Sequence, residues 1–463
     1  RGCHRMQAPR AANVAEMRKG LSAMRCKAAV VVAVVASVLL AGCTGGPSAD
    51  QTPSPSAEPQ QPSKIAVSVY GAEPVLEAYR GIAKEFNKRN PKIRVSLQEF
   101  SNHDAAMAHY RESAQAGTAP DLFMITGDDL GQLIADGVNA PVDELLGARG
   151  LNFGDGYERV ALEAFSADSH LQCLPTEVSP MVVYYNPALV PMDRLAEPDG
   201  EAPTAESGWS FHQFAKAARK ASTPRVRGVE VPKDLQHLAP FVLGGGGSLV
   251  DDVTAPTTTT LSTPESIVAL RPLLRLLRNP RYTFTPEQLA RRGAVQRFVD
   301  GRLAMLVGDR SLTPVLRAHE GFAFGAMPMP RRTKNATVAP MTGFCLSKSS
   351  SQPEAAADFL ADLASTKSAL SLVATGYAVP TNVAALRSAD FAAAGMSPVG
   401  SLSFTDQMRA IQPMPTGPQW DQLVSRTRPE ITRLLVKPVI SPLRRTLGEF
   451  DRASVELLKR PEQ

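Results

Sequence analysis

Tryptophan is scarce here, with two residues in 463, and aromatics make up only 6% of the chain. Any indole platform for a ligand is therefore confined to Trp209 or Trp420. Cysteine is also sparse: Cys3, Cys26 and Cys43 sit at the front, leaving Cys173 and Cys345 for the body. That last pair either forms one disulfide in an oxidising compartment or remains two buried thiols. No Gly-x-Ser-x-Gly elbow and no His-Glu-x-x-His helix occurs, which removes the commonest hydrolase signatures. Seven histidines are scattered, and His103 and His109 are poorly spaced for a helical metal pair, so neither metal nor cofactor is expected. Gly244–Gly247 has no following Gly-Lys-Ser/Thr, so it reads as a loop before Ser248 rather than a phosphate cradle. Carboxylates are plentiful, but nothing in the sequence places two of them together as a glycosidase pair.

Length and charge narrow the class further. A chain of 463 residues exceeds what one hydrophobic core usually organises, so two domains are expected. The net charge of +5 suggests an anionic partner until its distribution is examined. Seven of the 50 Lys and Arg residues lie in residues 1–42 against one acid, Glu16, which leaves 43 basic and 44 acidic residues beyond. No basic run interleaved with aromatics follows, so nucleic acid is not an expected partner.

The front of the chain reads as an address. Arg25 and Lys27 precede Ala28–Leu40, an uninterrupted stretch of Ala, Val, Ser and Leu. A positive start and a short apolar span have the form of a secretory signal, too short for the ~20 residues of a membrane helix. Leu40-Ala41-Gly42-Cys43 resembles the bacterial lipobox, in which the cysteine is lipidated, so Cys43 is the expected anchor. Met17 or Met24 is the more natural initiator. Residues 43–64 turn to Pro, Ser, Gln and Gly, a composition that buries no core and acts as a tether. Together these place the body on the extracellular face of a membrane.

From Ile65 the pattern becomes structured. Ile65 to Val69 alternates like a strand, and Leu76, Tyr79, Ala83 and Phe86 recur at helical steps. Ile93, Val95 and Leu97 alternate again, and Asp121–Ile125 is an apolar run bounded by Pro120 and Gly127. This order predicts an α/β body with a parallel sheet covered by helices. Ser262 to Glu265 and Ser351 to Glu354 have capping-box spacing with proline in the first turn, and predict two further helix starts.

Five ordered segments then resemble the family 1 extracellular solute-binding proteins. They are Val69-Tyr70-Gly71 with Ala83–Phe86 and Asn90–Val95; Ala116–Asp121 with Leu133–Gly137 and Pro141–Leu145; and Leu174-Pro175 with Tyr185-Asn186-Pro187. Phe298–Met305 with Met327-Pro328, and Gly343–Ser347 with Pro353–Ala356, Phe359-Leu360 and Gly376–Pro380, complete the series. The resemblance implies a two-lobed α/β fold of the type II periplasmic-binding-protein kind, with discontinuous lobes joined by a hinge. Lobe one would hold residues 64–175 plus 343–388, and lobe two residues 178–338 plus 389–463. It also implies a monomeric carrier, not an enzyme, that delivers a carbohydrate to ABC permease subunits.

Several residues are candidates for the ligand. Tyr70 and Asp128 follow strands at the carboxyl end of the sheet, where open α/β sheets bind. Asp128 or Thr126 could instead cap the next helix. Glu177 and Ser179 lie where the chain should cross between lobes. Asp234 and Gln236 precede the glycine run. Asp309 and Arg310 stand where many relatives carry Gly and Trp; the pair either meets a polar ligand or forms an internal salt bridge. Trp420 falls close to a sugar-stacking tryptophan of the family, whereas Trp209 reads as packing. The competing readings are the same fold holding a polyamine, peptide or anionic compound, a secreted lipoprotein hydrolase, and a fold with an empty cleft.

Overall fold

The computed structural model describes residues 61–459 except 198–199, 395–401 and 438–441. The signal-like stretch and Cys43 lie outside the described residues. Twelve strands fall within them: β1 (Ser63–Tyr70), β2 (Ile93–Phe100), β3 (Leu122–Thr126), β4 (Asn139–Ala140), β5 (Ser166–Ala167), β6 (His170–Leu171), β7 (Cys173–Val178), β8 (Val182–Tyr185), β9 (Met305–Gly308), β10 (Gly325–Met327), β11 (Met341–Ser347) and β12 (Val379–Pro380). The main sheet runs β12-β7-β11-β3-β1-β2, with β4 also on β11. A second sheet runs β10-β8-β9, and β5 pairs with β6.

Local pattern explains the first elements. Ile65, Val67 and Val69 are fully buried on one face of β1. The helix Glu73–Arg89 then buries Val75, Leu76, Tyr79, Ile82, Ala83 and Phe86 as one stripe. The parallel expectation holds for β3-β1-β2 only. β11 is antiparallel to both β3 and β7, so the main sheet is mixed. Both predicted late helices exist, but each starts later than its Ser did. Their N-caps are Thr263 and Gln352, because Pro264 and Pro353 take the first helical position, where no amide hydrogen is needed.

Two apolar cores result. One gathers β1, β3, β7, β11 and their helices; the other gathers Val183, Trp209, Phe214, Leu270 and Leu435 around the second sheet. Glycine matters where the second core is tightest. A Cβ on Gly247 would stand 2.7 Å from Ser266 Cα, so the run Gly244–Gly247 lets the helix Pro264–Leu277 approach closely. Trp209 is fully buried and donates its indole N–H to Pro328 O at 2.8 Å.

Two segments join the sheets and run side by side. Ser179 N donates to Pro340 O at 2.8 Å, and Met181 N to Val338 O at 3.0 Å. Thr337 Oγ1 donates to Met181 O at 2.8 Å. Cys173 and Cys345 form a disulfide across directly paired residues of β7 and β11. The bond thus ties the strand entering this crossing to the strand leaving it. Beside it, Gly343 permits a close approach, since a Cβ there would stand 2.6 Å from Leu174 O.

Candidate ligand-binding site

Tyr70 ends β1, and its hydroxyl is buried without a hydrogen-bond partner. The residue is 9% exposed, its ring meets His103 edge-on at 5.5 Å, and its hydroxyl feels the charges of Asp129, Glu177 and Asp128. Burial, reinforced by those three carboxylates, raises its pKa far above the ordinary tyrosine value.

The turn after β3 divides its acids between two tasks. Asp129 accepts from Thr126 N at 2.9 Å, from Thr126 Oγ1 at 2.8 Å and from His103 Nε2 at 2.7 Å. The cap is therefore made by Thr126 and Asp129. Asp128 is released from capping and faces the cavity. Burial, followed by the charges of Asp421 and Asp129, pushes the Asp128 carboxyl up to about 6. Asp421 is raised in turn, first by burial and then by Asp129. The pair His103–Asp129 shows the opposite effect of a compensated charge: against the cost of burial, its hydrogen bonds hold Asp129 below the carboxylate range and raise His103.

A cavity of about 600 Å³ lies between the helix His103–Gln115 and the helix Pro418–Val436. Its walls include Tyr110, Arg111, Asp128, Asp129, Asp136 and Asp421. The first helix packs on the first core, whereas the second helix packs on the second core through Trp420, Leu423 and Leu435. The cavity is thus bounded by both halves of the molecule.

Glu177 lies on β7 just before the crossing, with its carboxyl pushed up to about 7 by burial and only partly relieved by Thr342 Oγ1. Two residues on, Ser179 Oγ donates to Asp309 Oδ1 at 3.2 Å, so two separated candidates meet. Asp309 also accepts from Ser311 N at 2.8 Å.

Other candidates take different places. Arg310 is fully buried: Nε donates to Ala378 O at 3.2 Å, and the guanidinium lies 4.7 Å from the Phe404 ring centre. It makes no ion pair with Asp309 among the described residues, which corrects the salt-bridge alternative, and its two terminal nitrogens are buried without a hydrogen-bond partner. Asp234 caps the helix Leu235–Gly244, accepting from His237 N at 2.9 Å and from its ring at 2.7 Å. Neither Asp234 nor Gln236 lines the cavity. Trp420 is 4% exposed inside the second core, so its ring is not offered as a stacking face. The correction has a simple cause: the apolar stripe of the helix turns Trp420 inward, and Asp421, one position on, faces the cavity. Trp420→Ala is expected to cost about 3–5 kcal/mol, as large core truncations do, whereas Trp420→Phe should lose much less. Paired denaturant titrations of the two variants check this.

His103, Asp129 and Asp421 were missed. Their only sequence signal was the Asp-Asp pair after β3; the partner helix that brings Asp421 to it is nearly 300 residues away. No group of three metal-ligating side chains occurs among the described residues. No helix among them is long and apolar enough to cross a membrane.

The model of a family described as bacterial extracellular solute-binding protein matches residues 81–398. The chain belongs to that family. Solved structures agree on its two-lobed α/β architecture. An ABC substrate-binding protein of Listeria monocytogenes, in complex with cycloalternan, is 21% identical with a TM-score of 0.71; the match covers 86% of this chain and 99% of that one. The sugar-binding protein MalE of Xanthomonas citri is 17% identical with a TM-score of 0.72, over 86% of this chain and 97% of that one. The acarbose-binding GacH receptor of Streptomyces glaucescens is 18% identical with a TM-score of 0.68, over 87% and 100%. An uncharacterized lipoprotein of Streptomyces antibioticus is 26% identical over 210 residues. That match spans 45% of this chain and 42% of the relative.

Proposed function

We propose that this solute-binding protein is the lipid-anchored, extracellular capture component of an ABC importer, and that it closes on a carbohydrate. The carrying observation is a cavity walled by Asp128 and Asp421 from the two halves of the molecule, with the buried Tyr70 hydroxyl within electrostatic reach of Asp128 and Glu177. Carboxylates accept from sugar hydroxyls, and a tyrosine hydroxyl can do either. Contacts from both halves stabilise the closed state only while ligand is present, which lets a permease distinguish a loaded carrier. The Ser179–Asp309 contact sits beside the crossing segments and is the proposed hinge floor. The lobes are taken as residues 64–175 plus 343–388 and 178–338 plus 389–463, with Cys43 as the lipid anchor. The lipoprotein relative and the sugar-bound neighbours support this reading.

A thermal-shift screen over mono-, di- and oligosaccharides, peptides and polyamines tests it. One saccharide class should raise the midpoint, by the equivalent of about 2.7 kcal/mol at a hundred times its dissociation constant. Turnover of a glycoside would point instead to a hydrolase. Stabilisation by peptides or polyamines alone would remove the carbohydrate and keep the carrier.

A further inference from the structure

The second half of the molecule carries a face of uncompensated positive charge. The helix Pro264–Leu277 presents Arg271 and Arg275 to solvent, with Arg278 just past its end. Arg219, Arg331 and Arg332 are exposed beside it, and two hollows of about 530 Å³ each meet at Arg275, which lines both. No acidic side chain lines either hollow, and none of the six arginines makes an ion pair among the described residues. His212, in the second hollow, is paired with Glu197 at 3.0 Å. Where the arginines are pinned, neutral carbonyls pin them. Pro272 has no N–H, so Val268 O lacks its helical donor, and Arg332 Nη1 supplies one at 2.8 Å. Arg278 Nε donates at 3.0 Å to Leu434 O, in the last turn of the helix Pro418–Val436, and its Nη2 is buried with no partner. Both guanidinium groups are thus held in place with their charge uncompensated. A second feature lies on the same helix. Val268, one turn before Arg271, is 53% exposed, the most exposed large apolar side chain among the described residues.

We propose that this face docks on the anionic headgroups of the membrane to which the chain is anchored, with the arginines on lipid phosphates and Val268 at the headgroup boundary. A guanidinium forks two N–H groups toward a phosphate, so arginines pinned by carbonyls suit a layer of headgroups. Beyond residue 42 the chain has 43 basic and 44 acidic residues, so the attraction comes from segregated charge and not from an excess of it. A soluble polyanion would match the charge but would give the exposed valine no apolar partner. Anchoring makes a weak contact sufficient, because a tethered body meets the bilayer at high effective concentration. None of the six arginines lines the capture cavity, so docking and capture use separate surfaces. The proposal rests on the lipid-anchored reading above and adds a second contact with the same membrane.

Cosedimentation with vesicles tests it on the mature chain with Cys43→Ala, which carries no lipid of its own. Vesicles of phosphatidylcholine alone are compared with vesicles containing about one third phosphatidylglycerol. At low salt the apparent affinity should be at least ~10-fold higher for the anionic vesicles, and the margin should vanish as salt is raised. Arg271→Gln, Arg275→Gln and Arg331→Gln together should remove most of it. Lys84→Gln, Lys88→Gln and Arg94→Gln together, exposed beside the first sheet, take away the same charge and should leave it. Equal binding to both kinds of vesicle overturns the proposal. So does equal loss in the two triple variants, since net charge alone would then act. Binding of inorganic polyphosphate without binding of vesicles overturns it in favour of a soluble polyanion. Should the first triple variant fail to fold, Arg275→Gln alone and the salt dependence of the unaltered face decide the matter. Anchoring is tested apart: the unaltered protein should partition into detergent and the Cys43→Ala protein into water, and failure there leaves the vesicle result standing.

Discussion

Reduction of the Cys173–Cys345 disulfide, or its replacement by two alanines, is expected to lower the thermal midpoint by roughly 10 °C. The bond closes a loop with a sequence separation of 172 residues. Chain entropy alone assigns such a closure about 5 kcal/mol, most of it through restriction of the unfolded chain. Placement adds to the expectation. Everything between β7 and β11, including the second sheet and most of the second core, lies inside this loop. Without the bond, the strands on both sides of the crossing are joined by hydrogen bonds and packing alone. Calorimetry with and without a thiol reductant measures the change, and the double variant should match the reduced protein. An unchanged midpoint would mean that the two strands are held as firmly by their pairing, and that the bond adds little.

The second expected result separates binding from stability. Tyr70→Phe removes only the hydroxyl, leaving the ring against His103 and the first core. That hydroxyl is buried, unpartnered and close enough to Asp129, Glu177 and Asp128 to feel their charges. An unsatisfied buried donor costs about 1–3 kcal/mol, so its loss should leave the midpoint unchanged or raise it. The same atom is proposed to meet the ligand, so saccharide affinity should fall roughly 10-fold. A variant that is both less stable and unimpaired in binding would place Tyr70 among ordinary core residues. Titration calorimetry and a melting curve on one preparation give both answers.

Local pattern and long-range packing divide what places these residues. Strands β1, β2 and β3 were legible because alternation and apolar runs are local, and each has its partner within about sixty residues. Glu177 and Ser179 were legible as crossing residues through the ordered motifs on either side. Arg310 and Trp420 were misplaced for one shared reason. Motif matching finds a position along the chain, but a one-residue rotation about a helix or strand end decides which side chain faces the cavity. For Trp420 that rotation turns the indole inward and presents Asp421. For Arg310 it packs the guanidinium between Phe391 and Phe404 while Asp309 meets Ser179.

The α/β class, the family and the acidic region after β3 are legible along the chain, because periodicity, capping chemistry and motif order are written in neighbouring residues. The same local pattern leaves the two cysteines as either a bridge or a pair of thiols, and it leaves Thr126 and Asp128 as rival caps. Long-range packing resolves both. Antiparallel pairing of β7 with β11 brings Cys173 to Cys345. Hydrogen bonds from Thr126 and His103 occupy Asp129 and free Asp128 for the cavity. The approach of Asp421 to Asp128 depends on how two distant helices pack, and no local pattern encodes a distance between them.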